Sequence, residues 1–305
     1  MADLYSKVYF GNKIIDANQA SLSIASSAVL YGLSVYTVFP VSINDKGEVV
    51  VFRLEDHFKR LTDSAKIIGM DRFGEEWHLD SFTDAVQELI LANDIRSNVF
   101  VRATVHVDSQ IAGTRSRGLS TVLSMFIYSA DSILPRSGAR LKTSVWRRIP
   151  DYAIPSRAKV NGAYVNSVLA KQDAIDSGYD DCIFLDAQGH VCELSAANVF
   201  MVRDNKLITP DATHDLLEGI NRRTIIEIAR DLDIEVVERS IDLTELYIAD
   251  EVFACGTSAY LTPVVEIDAR TIPSSGKMTK RLGAIHSRVI SGNSQEYKRY
   301  ITIVS

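Results

Sequence analysis

The first part of the chain combines strand-like and helix-like hydrophobic patterns. Residues 34–43 and 99–107 are rich in β-branched and aromatic side chains, which predicts two strands. Between them, apolar positions recur every three or four residues over 54–68 and over 81–92, which predicts two amphipathic helices. The other strands predicted here are an opening hairpin (8–10 and 13–15), 48–52 and 119–128.

Short strands dominate the rest of the chain. A strand at 143–148 is followed by an antiparallel meander, and the helices are predicted at 160–176, 220–232 and 277–290. The meander comprises 181–186, 190–194, 198–202 and 206–208, and further strands are predicted near 235–238 and 251–255. Because helices and strands are mixed without strict alternation, the pattern predicts an α+β fold rather than a doubly wound parallel one.

Residues 129–140 are predicted to connect two domains. They contain Pro135, Gly138 and several polar residues, as linkers often do. A chain of 305 residues with 46% hydrophobic residues is long enough for two domains, here 1–128 and 141–305.

Charge and cysteine content narrow the class of protein. The net charge is −6 and no basic stripe is present, so nucleic acid is not an expected partner. Three cysteines without metal-type spacing indicate core residues in a reducing compartment. Neither a signal peptide nor a membrane helix is recognisable, so the expectation is a soluble cytoplasmic protein.

Lys159 is the first candidate for chemistry. Small neighbours (Ala158, Gly162 and Ala163) allow a flat ring to approach the backbone. A lysine whose pKa is lowered by burial can form an imine with an aldehyde. The local sequence alone favours an ordinary surface lysine.

Glu193 is the second candidate. Strand alternation places it on the same face as Val191 and Ser195. It is either a solvent-facing carboxylate or a buried one, and a buried carboxylate needs a cationic partner such as a protonated pyridine nitrogen.

Two small-residue turns are candidates for anion binding. Gly219 opens the predicted 220–232 helix, where the amides of Ile220 and Asn221 favour an anion. The turn 256–259 offers the hydroxyl of Thr257 and two amides to a phosphate or a carboxylate. Both segments are also typical of turns that bind nothing.

Several other residues have both an ordinary and a functional interpretation. Arg60 lies on a predicted helix beside Lys59, which is typical of a solvated face. Arg102 lies inside an apolar strand, where an arginine forms a structural salt bridge or recognises a substrate carboxylate. The tyrosines of interest, for which a core position is the ordinary role, are Tyr31, Tyr36 and Tyr164.

Other chemistries have less support. The chain contains no Gly-x-Ser-x-Gly elbow, P-loop or dinucleotide fingerprint. The six histidines show no metal-ligand spacing, so the sequence predicts no metal site.

Taken in order, four segments resemble those of the class IV, fold-type IV pyridoxal-phosphate enzymes, and most closely the branched-chain aminotransferases. They are 159–164, 193–200, the helix start at Gly219 and 256–264, within a match from Tyr9 to about Arg288. Four segments in family order are more specific than any one of them, and together they favour the functional interpretations. The resemblance implies a small N-terminal α/β domain, a larger C-terminal pseudo-barrel domain, and pyridoxal 5′-phosphate bound between them.

The resemblance also implies a role for each candidate residue. Lys159 is expected to form the Schiff base and then to move the substrate proton, Glu193 to keep the pyridine nitrogen protonated, and Tyr164 to bind the phenolic oxygen. The expected phosphate ligands are Arg60, the Gly219 helix start with the amides of Ile220 and Asn221, and Thr257. The expected substrate contacts are Tyr31, Tyr36, Phe100, Arg102, Thr257 and Ser258.

The implied reaction is a ping-pong amino transfer between a hydrophobic or branched-chain L-amino acid and 2-oxoglutarate. Family members are at least homodimers, in which a loop of one subunit closes the site of the other. Departures from the family surround the substrate: Tyr36-Thr37-Val38-Phe39-Pro40 replaces a usual Phe-Glu-Gly-Ile-Arg, and Phe100 replaces a common tyrosine. These departures leave open a D-amino-acid or (R)-amine transaminase, although the Arg-x-His pair typical of the D-specific enzymes is missing after Arg102. An aminodeoxychorismate lyase or a non-enzymatic phosphate-binding protein fits less well.

Overall fold

The computed structural model describes residues 4–111, 113–273 and 276–304. Its strands are β1 (Lys7–Phe10), β2 (Lys13–Asp16), β3 (Ser34–Ile43), β4 (Val49–Phe52), β5 (Val99–Val107), β6 (Thr121–Ser129), β7 (Ala139–Thr143), β8 (Asp181–Leu185), β9 (Val191–Leu194), β10 (Asn198–Arg203), β11 (Lys206–Thr209), β12 (Val236–Glu238), β13 (Glu251–Gly256), β14 (Tyr260–Ile267), β15 (Arg270–Thr271) and β16 (Ile301–Ile303). Its α-helices are α1 (Ser27–Tyr31), α2 (Leu54–Ile67), α3 (Asp71–Glu76), α4 (Leu79–Ala92), α5 (Tyr164–Asp176), α6 (Ile220–Asp231), α7 (Leu243–Tyr247) and α8 (Lys277–Ile290). None of the described helices is long and apolar enough to cross a membrane.

The chain divides into two units, and both are discontinuous in sequence. The first comprises Met1–Asp131, Ala158–Gly162 and Val289–Ser305, and the second comprises Ser132–Arg157 and Ala163–Arg288. The first change of unit falls within the predicted 129–140 connection. Residues 158–162 and 289–305 belong to the first unit, although the sequence boundaries assigned them to 141–305.

The first unit is built on a seven-stranded antiparallel sheet of order β16-β4-β3-β5-β6-β1-β2. The long strands β3 and β5 pair from Ser34 opposite His106 to Val41 opposite Val99. Helix α2 packs against β3 and buries Leu61, and α4 packs against β1 and buries Leu89. The two predicted strands and the two predicted amphipathic helices are therefore confirmed.

Six strands of the second unit close into a pseudo-barrel. Their order is β9-β10-β13-β14-β7-β8, and β8 pairs with β9 to close the ring. β7 runs parallel to β8 and to β14, whereas the other neighbours in the ring are antiparallel. The strands contribute to one buried cluster, which includes Leu141, Ile183, Leu194, Val199, Ala254 and Val264. The predicted α+β fold with a C-terminal pseudo-barrel is confirmed.

The predicted strand at 143–148 is wrong, because β7 ends at Thr143. Beyond it, Ser144 N donates to Ile183 O and Arg148 N donates to Leu185 O, so this irregular segment still follows β8. Strand β14, which begins directly after the predicted turn 256–259, was not predicted from the sequence.

The helix predicted from 160 begins only at Tyr164. Residues 158–162 lie beside β3 instead: Tyr36 N donates to Lys159 O, Asn161 N donates to Ser34 O, and Val160 forms a bridge with Val35. The carbonyl of Lys159, which would accept the first hydrogen bond of a helix from 160, is thus used by β3.

Candidate active site

The backbone of Lys159 is fixed on two sides within the first unit. Lys159 O accepts a hydrogen bond from Tyr36 N (3.0 Å), and Lys159 N donates to Ser64 Oγ on α2 (3.0 Å). The segment also approaches the turn before β3 so closely that a Cβ on Gly32 would lie 2.9 Å from Gly162 Cα. The position of Lys159 therefore does not depend on its own side chain.

The side chain of Lys159 contacts an aromatic ring that also contacts an arginine. Lys159 Nζ lies 4.8 Å from the centroid of the Tyr36 ring, and the guanidinium carbon of Arg102 lies 3.6 Å from it. Arg102 Nη2 also donates to Asn161 Oδ1, and Asn161 Nδ2 donates to Ser34 Oγ (2.7 Å). Strand pairing and the 158–162 segment thus bring Lys159, Tyr36 and Arg102 together.

The neighbouring His106 adds no charge to this group. Burial, and then the positive charge of Arg102, lower the pKa of His106 to about 4, although Asp108 opposes them. His106 Nε2 lies 2.8 Å from Ser124 Oγ. His106 is therefore neutral at neutral pH, and the positive charge at this position is that of Arg102.

Arg60 is directed towards β3. Its Nη2 donates to Thr37 Oγ1 (3.1 Å), which lies 2.7 Å from His57 Nδ1. Thr37 and His57 are fully buried. A hydroxyl can accept two hydrogen bonds, or accept one and donate one, so Thr37 Oγ1 can bond to Arg60 and His57 at the same time. Thr37 thus orients Arg60 without the negative charge that a glutamate would place there.

Tyr31 and Phe100 have different surroundings. Tyr31 ends α1, and its hydroxyl accepts a hydrogen bond from Gly113 N (3.2 Å). Phe100 is fully buried, with its ring centroid 5.7 Å from that of Tyr128. The structure therefore places Phe100 in the core of the first unit.

Glu193 is buried in the second unit and surrounded by donors. Arg148 Nη2 lies 2.9 Å from Glu193 Oε1, and their side chains are only 12% and 8% exposed. Asn198 Nδ2 and Leu217 N donate to Glu193 Oε2 at 3.2 and 3.3 Å. The solvent-facing alternative is therefore excluded, and the donors stabilise a negative charge at Glu193.

The start of α6 and the turn after β13 are joined through Asn221 in the second unit. Asn221 Nδ2 donates to Thr257 Oγ1 (3.2 Å), and His286 Nε2 donates to Asn221 Oδ1 (2.9 Å). Gly219 is the N-cap of α6 and has no side chain to occupy the first amides of the helix. The amides of Ile220 and Asn221 and the hydroxyl of Thr257 are therefore held near one another.

Asn198 connects this helix start to Glu193. Its Nδ2 bonds to Glu193 and to Leu217 O, and a Cβ on Gly219 would lie 2.1 Å from its Oδ1. Such a distance requires the Asn198 side chain or the backbone to shift before any side chain fits at position 219. Of the other predicted residues, Ser258 lies in the turn with Thr257, where its carbonyl accepts from Ile133 N, and Tyr164 is the first residue of α5.

Three residues that support these groups were not predicted from the sequence, namely Arg148, Asn198 and His286. Each forms a hydrogen bond or ion pair with a candidate residue, but no local sequence pattern identifies it as functional. A glutamate in an apolar strand was the available signal that a cation such as Arg148 lies nearby.

Comparisons with known proteins agree over nearly the whole chain. The family model for amino-transferase class IV matches residues 34–267. A probable branched-chain-amino-acid aminotransferase of Aquifex aeolicus (strain VF5) is 35% identical over 301 residues, 97% of this chain and 96% of the relative.

Two solved structures are also similar. The branched-chain aminotransferase of the archaeon Thermoproteus uzoniensis with norvaline has a TM-score of 0.94 at 33% identity, covering 99% of this chain and 100% of that one. The T.th. branched-chain amino acid aminotransferase complexed with N-(5′-phosphopyridoxyl)-L-glutamate has a TM-score of 0.91 at 32% identity and covers 99% of each chain. The chain therefore belongs to the class IV aminotransferases, which are pyridoxal-phosphate-dependent enzymes of fold type IV.

Proposed function

We propose that the protein transfers an amino group between a branched-chain or other hydrophobic L-amino acid and 2-oxoglutarate, with Lys159 as Schiff-base lysine and proton carrier. One observation carries the proposal: Lys159 Nζ and the Arg102 guanidinium contact the same Tyr36 ring. The reactive amine thus lies beside a cation that can pair with a carboxylate of the substrate. The relatives are branched-chain aminotransferases, and one of their structures contains an L-glutamate derivative, which supports this choice of substrates.

The residues of each unit fit pyridoxal phosphate. The buried carboxylate of Glu193 suits a protonated ring nitrogen, because its donors favour the ionised form and an ionised carboxylate can accept a further hydrogen bond from that nitrogen. A Cβ at position 219 would clash with Asn198, which explains why a glycine is found there. Because Gly219 has no side chain, a phosphate can approach the amides of Ile220 and Asn221. The remaining proposed cofactor ligands are Thr257 and Arg60 for the phosphate and Tyr164 for the phenolic oxygen.

Pyridoxal phosphate, when bound, supplies an aldehyde for an amine and a ring that takes up electrons when a substrate proton leaves. Lys159 acts first as the nucleophile that holds the cofactor, and its released amine then moves the proton of the substrate α-carbon. Arg102 binds a carboxylate of the substrate and so orients it. The Tyr36 ring contacts both Lys159 and Arg102 and fixes their relative positions. The same residues serve the 2-oxo acid in reverse, which makes the reaction ping-pong.

The half-reactions of the purified holoenzyme test the substrate assignment. Without an acceptor, L-leucine and L-glutamate should each remove the visible absorbance band of the cofactor, because both carry the α-amino and α-carboxylate groups that the proposal assigns to Lys159 and Arg102. D-alanine and (R)-1-phenylethylamine, added separately, should leave the band unchanged. Loss of the band with either of these two amines, but not with L-leucine, would move the assignment to a D-amino-acid or (R)-amine transaminase.

We also propose that the protein is a homodimer. In the second unit, α5 exposes Val165, Val168 and Leu169, which lie on one helix face at 63%, 65% and 41% exposure. The unit also exposes Val145, Trp146 and Tyr152. An apolar helix face of this kind is typical of a surface that another chain covers, and a second copy of this chain is the partner that the family implies.

Replacing Val168 by glutamate is expected to convert the dimer into a monomer. Burying an unpaired carboxylate costs about 3 kcal/mol or more, which raises the dissociation constant of the dimer about 10²-fold. Size-exclusion chromatography with light scattering at micromolar concentration measures the mass directly. Ile67→Glu, at an exposed apolar position of α2, is the matched control and should stay dimeric. A wild-type protein of monomer mass would refute the proposal.

A further inference from the structure

Asp186, His190 and His214 form a cluster in the second unit that the proposed transamination does not use. Asp186 Oδ2 lies 2.8 Å from His214 Nδ1 and 3.4 Å from His190 Nδ1. One ligand atom from each residue lies within 4.8 Å of the other two. Asp186 and His214 are buried, whereas the His190 side chain is 32% exposed.

Backbone hydrogen bonds orient the Asp186 carboxylate. Its Oδ1 accepts from Gln188 N (2.9 Å) and His190 N (2.8 Å), while Oδ2 faces the two imidazoles. Backbone donors therefore occupy Oδ1, and Oδ2 is the oxygen that faces His190 and His214.

The ring nitrogens of the two histidines meet at this oxygen. His190 Nδ1 is buried, has no hydrogen-bond partner among the described residues, and does not meet hydrogen-bond geometry towards Asp186. His214 presents Nδ1 to the same oxygen, while its Nε2 lies 2.8 Å from Ser240 Oγ. The Ser240 contact is the kind of outer hydrogen bond that fixes the tautomer of a metal-binding histidine.

We propose that Asp186, His190 and His214 bind a divalent transition-metal ion, for which zinc is the best match. Two imidazole nitrogens and one carboxylate oxygen are typical zinc ligands at about 2.0–2.2 Å, so neighbouring ligands of a tetrahedral ion lie about 3.4 Å apart. The His190–Asp186 distance already has this value. The His214–Asp186 pair separates by roughly 0.6 Å when the ion replaces the shared proton, and water is the fourth ligand.

The proposed ion connects two segments that support the candidate active site. Asp186 and His190 bound the turn between β8 and β9, and His214 lies in the segment before α6. In that same segment, Asp215 O accepts from Arg148 Nε, and Leu217 N donates to Glu193. Zinc therefore stabilises the second unit without contacting the reacting atoms. No metal site was predicted from the sequence, because His214 is 28 positions from Asp186 and only the fold brings them together.

The test is zinc binding by the holoenzyme, measured by isothermal titration calorimetry and by metal analysis after equilibrium dialysis. We expect one zinc per chain and a rise in the melting temperature of about 4 °C or more at saturating zinc. Mg²⁺ should produce neither effect, because it prefers oxygen ligands.

His190→Asn is the decisive variant, because the backbone amide at position 190 would still donate to Asp186 and the lost Nδ1 has no hydrogen-bond partner among the described residues. It should weaken zinc binding at least ~10-fold and remove most of the thermal shift. His78→Asn, at an exposed histidine of the first unit, is the matched control and should bind zinc like the wild type. Equal binding by wild type and His190→Asn, or no stoichiometric binding by wild type, would overturn the proposal. None of these readouts depends on transaminase activity.

Discussion

Replacing Lys159 by alanine is expected to lower the transamination rate by about 10⁴-fold or more, because one side chain supplies both the nucleophile and the proton carrier. The fold should persist, since the backbone of Lys159 is held by Tyr36 N and Ser64 Oγ whatever its side chain. Steady-state kinetics with L-leucine and 2-oxoglutarate measure the rate, and circular dichroism with thermal unfolding measures the fold.

Two variants sharpen this experiment. Lys159→Arg retains a cation near Tyr36 but not a primary amine, so it should be as inactive as the alanine variant. Lys59→Ala removes an exposed lysine that pairs with Asp63 on the surface of α2, and it should retain full activity. A Lys159→Ala enzyme with normal turnover would contradict both proposed roles of Lys159, as the Schiff-base lysine and as the proton carrier.

Replacing Glu193 by glutamine is expected to reduce kcat about 10²-fold, because a hydrogen bond to a charged group is worth about 1.5–3 kcal/mol and glutamine carries no charge to pair with a protonated ring nitrogen. The same change leaves Arg148 buried without its counter-charge, which costs about 3 kcal/mol or more of unfolding free energy. The variant should therefore lose both turnover and stability.

The double variant Glu193→Gln, Arg148→Met separates the two effects. It removes the unpaired guanidinium, so the unfolding free energy should recover while kcat stays low. Glu218→Gln, at an exposed glutamate that pairs with Arg157, is the matched control and should change neither quantity. If the double variant recovered its turnover together with its stability, the role of Glu193 would be structural rather than chemical.

Elements with a strong hydrophobic period could be predicted from the sequence. β3 and β5 are rich in β-branched and aromatic residues, and α2 and α4 show a clear helical period, so local preference and burial agree there. The start of α5 was predicted too early because the backbone of 158–162 bonds to β3, a contact that no local pattern reveals. Tertiary pairing thus overrode the local helical preference of residues 160–163.

The chemistry-bearing residues could be named from the sequence, but their partners could not. The family pattern identified Lys159, Glu193 and Gly219 because each lies in a compact segment. Arg148 and His286 lie far along the chain from the groups they contact, and the cluster at Asp186 has no recognisable sequence spacing. Partners of this kind are set by sheet topology, which a single sequence specifies only indirectly.

The discontinuity of the first unit bears on the order of events during synthesis. Multidomain chains generally fold from the N-terminus as the ribosome releases them. Here β4 gains its outer neighbour only when Ile301–Ile303 have been made, and β3 gains the 158–162 segment only after the second unit has begun to emerge. Until then, β4 is an unpaired edge strand of the nascent N-terminal sheet. An unpaired edge strand can form hydrogen bonds with a strand of another chain, so aggregation during synthesis is most favoured at β4.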